Sequence, residues 1–289
     1  MRKIWIIALL LLLAVPLSAQ EEAAEEDVPE IDYYRSPVGF NVPVLGDGWV
    51  EQGDGETALF VNETLSAQIQ VTAVRTLDDE EAIQTALDNF LADSSVEPVY
   101  SDRIGLTNGT WTQNIYQDGD STISALALVR SDRTFVVSFV ETSADYDAYQ
   151  LTVRNSDPES LDPQEGVANA LERLLSIDPD EPESITALNL PSGEWQEYDY
   201  SADLTAYGFV FRGITYSTII TGDAPDGAEL ADAYDTVFLG FFMTPNNDEF
   251  LYLGLASSAF IFLVLIGSIW WRFRNARQDL QLIEQLENE

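Results

Sequence analysis

The chain has 289 residues, a formal net charge of −37, and neither cysteine nor histidine. These two absences exclude disulfides, thiol nucleophiles, thiolate or imidazole metal ligands and histidine-based catalytic triads. Because Lys3 is the only lysine, phosphate-loop and Schiff-base lysines are excluded from the rest of the chain.

The negative charge also limits the class of partner. An anionic surface repels nucleic acid, so we predict no nucleic-acid partner. Cations, basic proteins and neutral polymers remain, and so does simple solvation of the surface. Hydrophobic residues make up 46% of the chain, which predicts a packed core despite the charge.

Residues 1–19 have the pattern of a secretory signal peptide. A basic start precedes the uninterrupted apolar run 4–15, and small residues lead to Ala19. We therefore expect cleavage after Ala19, followed by an acidic spacer over 20–33. An uncleaved signal anchor is the alternative.

Phe250 to Trp271 form a second apolar segment, of 22 residues without a charge. A helix of that length is about 33 Å long, which matches a hydrocarbon thickness of about 30 Å. The sequence therefore predicts one transmembrane helix over 250–271, with a buried core helix as the alternative. Arginines follow it, so the positive-inside bias places the tail, 272–289, in the cytoplasm and the N-terminal domain outside. Gly254 and Ser258 could let two such helices form a homo-oligomer.

Between these ends, the spacing of apolar residues predicts an α+β domain over 34–177. Alternation over 67–75 indicates a half-buried antiparallel strand, and the stripe that follows indicates an amphipathic helix with Asp78 and Glu81 at its start. The expected fold is an antiparallel sheet covered by helices. Further strands and a second helix are predicted at 111–116, 122–130, 134–140 and 167–177.

The acidic, proline-containing segment 178–184 predicts a linker to a smaller α+β module at 185–245. One pattern recurs across the linker, since Gly109-x-Trp111 reappears as Gly193-x-Trp195 at the start of a run of strands. The recurrence indicates a partial duplication, although coincidence explains so few positions equally well. A module this small cannot bury its own sheet face, so we expect it to pack on the first domain.

The opening sequence Tyr34-x-Ser-Pro-x-Gly-Phe-x-Val-Pro, the pair Gly48-Trp49 and the order of the elements resemble the PsbP/DcrB-like α+β sandwich family. The resemblance covers about residues 34–177. It implies an antiparallel sheet covered by helices, in exported accessory proteins or in modules fused to other exported proteins. The family has no shared catalytic motif, so the resemblance assigns a role to no residue.

Asp118, Asp120, Asp223 and Asp226 lie in short loops rich in aspartate and glycine, and they are the candidate ligands of a divalent cation. These loops lack the twelve-residue spacing of a calcium loop, and turn formation explains the same residues. Paired carboxylates could also hydrolyse a glycosidic bond, which requires two of them about 5–10 Å apart. We predict no cofactor and no catalytic residue.

The sequence thus predicts a non-enzymatic, membrane-anchored extracytoplasmic binding or scaffold protein that is accessory to another envelope or membrane protein. The predicted anchor and the missing catalytic residue types favour this interpretation. Two alternatives stay open: a carboxylate-dependent hydrolase of a surface polysaccharide, and a surface module that binds divalent cations weakly.

Overall fold

The computed structural model describes residues 32–46, 48–91, 96–159, 161–177, 181–224, 226–243, 258, 260–275 and 277. Except for Asp32, these residues belong to one compact unit, Tyr33–Glu289. Several predicted segments lie outside the described residues: the signal peptide, 1–19; residues 20–31 of the spacer; linker positions 178–180; residues 250–257 of the span; and residues 278–289 of the tail.

The largest sheet has seven antiparallel strands, and its central strands are buried along most of their length. Along one of its strands, residues 67–71 alternate between buried and half-buried positions, as the sequence pattern predicts. In spatial order the strands are β3 (Val50–Glu51), β4 (Ala58–Asn62), β5 (Ala67–Val74), β9 (Thr134–Glu141), β8 (Ser121–Val129), β7 (Gly109–Asp118) and β6 (Tyr100–Leu106).

Two smaller antiparallel sheets complete the strand structure of the described residues. The five-stranded sheet has the order β10 (Tyr146–Arg154), β14 (Ile214–Gly222), β13 (Leu204–Phe211), β12 (Gly193–Ser201) and β11 (Ser184–Leu190). The three-stranded sheet has the order β1 (Tyr33–Arg35), β2 (Phe40–Pro43) and β15 (Phe242–Met243).

Three helices pack against these sheets: α1 (Asp79–Leu87), α2 (Gln164–Leu175) and α3 (Gly227–Gly240). The predicted start of α1 is confirmed, because the Asp78 side chain accepts hydrogen bonds from the backbone N–H groups of Glu80 and Glu81. The side chain of Glu81 does not complete a capping box with Asp78. It accepts a hydrogen bond from the hydroxyl of Thr76 at 2.7 Å.

The predicted fold class, an α+β sheet covered by helices with a C-terminal membrane helix, is wrong, because the described residues form a β-rich fold of three antiparallel sheets. The sequence pattern missed β6, β10 and β11. β10 is buried on both faces over most of its length, and β11 is an edge strand with largely exposed side chains. Neither therefore shows the alternation of a half-buried strand.

The predicted transmembrane helix is also contradicted, and with it the single-pass membrane localisation, whereas the membrane contact through Phe250–Trp271 stays a prediction. Within the described part of the chain, no helix is both long enough and apolar enough to cross a membrane. Residues 258, 260–275 and 277 are helical.

The two larger sheets are built from the same succession of elements. In the first, β5 is followed by α1 and the meander β6 to β9, and the sheet order is β5-β9-β8-β7-β6. In the second, β10 is followed by α2 and the meander β11 to β14, and the order is β10-β14-β13-β12-β11. Although β10 lies within the predicted first domain, 34–177, it pairs over its whole length with β14 of the predicted second module, 185–245.

Helix α3 lies between the two larger sheets and forms the centre of the core. Its Tyr234 ring contacts Phe139 of β9 with centroids 4.6 Å apart, and its Phe238 ring contacts Tyr216 of β14 at 5.9 Å. α1 covers the opposite face of the seven-stranded sheet, and α2 covers the opposite face of the five-stranded sheet. The resulting order of layers is α1, sheet, α3, sheet, α2.

Candidate binding site

A polar cavity of about 400 Å³ lies beside α1, where β4 begins and β5 ends. This volume falls within the range of small-molecule sites, about 300–1,000 Å³. Its polar lining includes Glu56, Thr57, Gln70, Thr72, Arg75 and Arg133. The cavity is therefore a concave surface with hydrogen-bond donors, acceptors and charges of both signs.

The floor of the cavity is the polar face of β5. Because side chains alternate along a strand, the buried set that begins at Ala67 leaves Gln70 and Thr72 on the other face. Gln70 donates from Nε2 to the carbonyl of Ala86 in α1 at 3.3 Å, and the Thr72 hydroxyl lies 3.1 Å from the hydroxyl of Thr57. These contacts fix the floor to the neighbouring helix and strand.

One wall of the cavity is the loop between β3 and β4, and residues of the opening sequence motif hold it. The Tyr34 hydroxyl donates to the carbonyl of Thr57 at 3.0 Å, and the Ser36 hydroxyl lies 3.0 Å from the carbonyl oxygen of Gly55. Asp54 Oδ1 accepts hydrogen bonds from the backbone N–H groups of Glu56 and Thr57. Burial raises the pKa of Tyr34, so its hydroxyl stays a donor. The loop is thus ordered by contacts within the protein.

Two arginines line the cavity at the end of the β5 and β9 pair. The pairing of the two strands ends with Val74 opposite Thr134, and Arg75 and Arg133 are the next residues beyond this pair. The pairing therefore brings two cations that are far apart in the sequence to the lining of one cavity.

Arg133 is held in place, whereas Arg75 is not. Arg133 donates from Nη1 to the carbonyl of Val38 at 2.7 Å and from Nε to Asp132 Oδ2 at 2.9 Å. The hydrogen bond with Asp132 raises the pKa of Arg133, and the same bond lowers the pKa of Asp132. Arg75 is exposed and makes no hydrogen bond or ion pair with another described residue.

The four aspartates predicted as cation ligands lie at or after the ends of β7 and β14. Asp118 is the last residue of β7, and Asp120 lies in the two-residue turn to β8. The backbone N–H of Asp223 donates to the carbonyl of Asp145 at 3.2 Å, and the carbonyl of Asp226 accepts from the first turn of α3. Among the described residues, no group of three or more acidic side chains is arranged to hold a metal ion. The contact of Asp223 continues the pairing of β10 with β14, and the contacts of Asp226 are those of a residue that begins a helix.

A second polar cluster lies inside the protein, between the two larger sheets. Gln150 donates from Nε2 to Asp235 Oδ1 at 2.7 Å, and its Oε1 accepts from the hydroxyl of Thr218 at 2.5 Å. The backbone N–H of Gln150 donates to the Ser124 hydroxyl at 2.9 Å, so the cluster links β8, β10, β14 and α3. Burial, together with the charge of Asp232, raises the pKa of Asp235 well above its usual range.

Glu141, the last residue of β9, is also fully buried. Burial, with a contribution from the charge of Asp147, raises its pKa to about 8. Its Oε1 accepts a hydrogen bond from the backbone N–H of Ser143, and its Oε2 has no hydrogen-bond partner among the described residues. Glu141 and Asp235 therefore lie in the interior, where a polymer in solvent does not reach them.

Sequence reasoning did not single out Arg75 or Arg133. The available signal was the small number of arginines in a strongly acidic chain, but only the folded structure shows that two of them line one cavity. The motif residues Tyr34 and Ser36 were noted for their pattern, and the structure places them at the cavity wall.

The fold and the cavity together define a β-rich protein with two repeated strand-helix-meander units and a polar cavity beside the helix of the first unit. No model of a known protein family matches the sequence, and no curated protein matches it either. The resemblance to the PsbP/DcrB-like family therefore stays a hypothesis based on the motif residues and the order of the elements.

Proposed function

We propose that the protein is a non-enzymatic binding module and that the polar cavity beside α1 is its ligand site. The observation that carries this proposal is a cavity of about 400 Å³ whose walls are held by hydrogen bonds within the protein. A site that is already ordered binds a ligand without a further loss of loop and side-chain entropy, and this favours affinity.

The cavity offers both kinds of hydrogen-bonding group. Arg75 and Arg133 are donors, Glu56 is an acceptor, and Thr85 and Asn89 supply groups of both kinds. A ligand with several polar atoms can therefore satisfy them together, whereas an apolar ligand would leave them without partners. The proposal agrees with the predicted role of a binding or scaffold protein that is accessory to another component. That component would then supply the polar group that binds in the cavity.

Thermal unfolding of the full chain in the presence of a panel of small polar molecules tests the proposal. The panel contains neutral sugars, amino acids, nucleosides, amines and organic acids, because a ligand that binds the folded state raises the melting temperature. We expect at least one member to raise it. The shift should disappear in Thr85→Trp, which fills the cavity from the exposed face of α1.

The matched control is Gln84→Trp. Gln84 is the exposed neighbour of Thr85 on α1, and it is not part of the cavity lining. This variant should retain the shift. The proposal is wrong if no panel member raises the melting temperature of the wild-type chain, or if Thr85→Trp and Gln84→Trp respond alike.

A further inference from the structure

We infer that the cavity binds a carboxylate group, and that Arg75 and Arg133 make the charged contacts with it. The inference depends on the proposed binding function and specifies the ligand class of the same site. It starts from the arrangement of the two arginines.

Arg75 and Arg133 line the same cavity, just beyond the end of the β5 and β9 pair. Asp132 makes an ion pair with Arg133, and the charge of Arg75 also contributes to the lowered pKa of Asp132. Arg75 itself makes no ion pair with a described residue. A ligand carboxylate in the cavity gives Arg75 a direct partner.

The number of free donors supports a carboxylate bound by both side chains. A guanidinium group carries five N–H donors. Arg133 directs one donor at Val38 and two at Asp132, through Nε and Nη2, and so keeps two for a ligand. Arg75 keeps all five with respect to the described residues. Planar guanidinium groups match the two oxygens of a carboxylate, which favours this anion at a site with two such forks.

Arg133 is also held in advance of binding. Its side chain is 28% exposed, and its hydrogen bonds to Asp132 and Val38 fix the plane of its guanidinium group. Arg75 is exposed and makes no such hydrogen bond with a described residue. We therefore expect Arg75 to contribute most of the difference in affinity between a ligand with a carboxylate and a ligand with a neutral group in its place.

The net charge of −37 does not prevent this binding, but it limits the ligand. At physiological ionic strength charges more than about 8 Å away are largely screened, so the nearest groups dominate. Glu56 lines the same cavity and disfavours a second negative charge. The site therefore takes a ligand with a single carboxylate in preference to a dianion.

Binding of the full chain to three probes at constant ionic strength tests the inference. The probes are sodium acetate, the tripeptide acetyl-Gly-Gly-Gly with a free carboxyl terminus, and the same tripeptide as its amide. We expect the free acid of the tripeptide to bind at least tenfold more tightly than the amide, because only the acid can accept the paired N–H donors. Acetate binding in addition indicates that the carboxylate alone is enough, whereas binding of the peptide acid alone indicates a chain terminus; both support the inference.

Arg75→Gln should weaken binding of the acid at least tenfold, and Arg75→Lys, which keeps the charge without the fork, should give an intermediate loss. Arg35→Gln is the matched control: Arg35 is exposed on β1, is not part of the cavity lining, and its loss changes the net charge by the same amount. It should leave binding unchanged. The inference is overturned if acid and amide bind alike, if neither binds, or if Arg75→Gln and Arg35→Gln have the same effect.

These outcomes are separate from those of the proposed function. A neutral panel member whose effect is lost in Thr85→Trp would support a binding site in the cavity. If the carboxylate probes did not bind at the same time, only the ligand class would be rejected.

Discussion

Trp111 and Trp195 occupy equivalent positions in the two repeated units and make the same contact. The indole N–H of Trp111 donates to the Asn108 side chain at 2.8 Å, and that of Trp195 donates to the Ser192 hydroxyl at 2.9 Å. Both tryptophans are buried, and both acceptors lie in the two-residue turn before the strand. The repeated Gly-x-Trp sequence is therefore the trace of a repeated hairpin.

The glycine of each motif is required by the same geometry. Gly109 has φ of 140° and Gly193 has φ of 150°, a region that side chains with a Cβ rarely adopt. A Cβ on Gly193 would also lie 2.6 Å from the Phe209 ring, and one on Gly109 would lie 2.9 Å from Leu128. The two motifs are thus alike in the backbone conformation of the glycine and in the close packing around it.

The turn acceptors should contribute unequally to stability. Asn108→Ala removes the side-chain acceptor of the Trp111 indole and should lower the free energy of unfolding by about 1 kcal/mol. Ser192→Ala removes the acceptor of the Trp195 indole and also the contact of the Ser192 hydroxyl with Asp232, so a loss of about 2 kcal/mol is expected. Urea unfolding followed by tryptophan fluorescence measures both. Thr107→Ala, in the same turn as Asn108, is the control, and equal losses in all three variants would contradict the prediction.

Helix α2 should tolerate no side chain at Gly166. A Cβ there would lie 2.1 Å from Thr215 Oγ1 and 2.3 Å from Thr215 Cβ, because the helix packs directly on β14. Gly166→Ala should therefore lower the free energy of unfolding by about 1–3 kcal/mol, despite the better helix propensity of alanine. Chemical denaturation gives the value. Gly46→Ala is the comparison, since a Cβ at Gly46 meets nothing within 4 Å, and an unchanged stability in Gly166→Ala would contradict the packing described above.

Burial of Glu141 should make stability fall as the pH rises. The pKa is about 8 in the folded protein against 4.5 for a free glutamate, so between these values the native state binds more protons than the unfolded state. The contribution to the free energy of unfolding is then present below about pH 5 and decreases towards pH 8, by about 1.4 kcal/mol per pH unit at most.

Glu141→Gln removes this ionisation and should make the stability curve flatter between pH 5 and pH 8. The variant is therefore expected to gain in stability relative to the wild-type chain as the pH rises. Denaturation midpoints measured across this range test the prediction. Glu63→Gln, at an exposed position, should leave the slope as it is; parallel curves for the wild type and Glu141→Gln would count against a buried, protonated carboxyl group.

Two substitutions of Asp235 should separate the effect of its hydrogen bond with Gln150 from the effect of its charge. Asp235→Ala leaves Gln150 Nε2 without its acceptor inside the protein, and we expect a cost of about 1–3 kcal/mol at acidic pH, where Asp235 is protonated. Asp235→Asn keeps an acceptor and cannot ionise. Because burial raises the pKa of Asp235, the asparagine variant should be closer to the wild type at acidic pH and more stable than it at alkaline pH. An asparagine variant as unstable as the alanine variant would contradict this.

Local patterns in the sequence identified several elements with accurate bounds. The alternation over 67–75 corresponds to β5, and the predicted strands at 122–130 and 134–140 correspond to β8 and β9 within one residue at each end. The helix start at Asp78 was equally readable. These elements have one buried face or a local capping group, so their signal lies within a few neighbouring residues.

Other features left no such local trace. The strand β10 is buried on both faces, and its partner, β14, lies far along the chain. The apolar segment 250–271 gave a local signal for a membrane helix, but no helix within the described ranges is long and apolar enough to cross a membrane.

The sequence by itself determined the charge, the missing side-chain chemistries, the strands β5, β8 and β9, the start of α1 and the recurrence of the Gly-x-Trp pattern. Only the tertiary structure decided that β10 joins the second sheet, that Glu141 and Asp235 are enclosed, and that Arg75 and Arg133 line one cavity. The physical reason is the distance along the chain over which each feature is determined. Turns, caps and alternation depend on neighbours in the sequence, whereas burial of a carboxyl group and the position of two arginines at one cavity depend on which distant strands exchange hydrogen bonds.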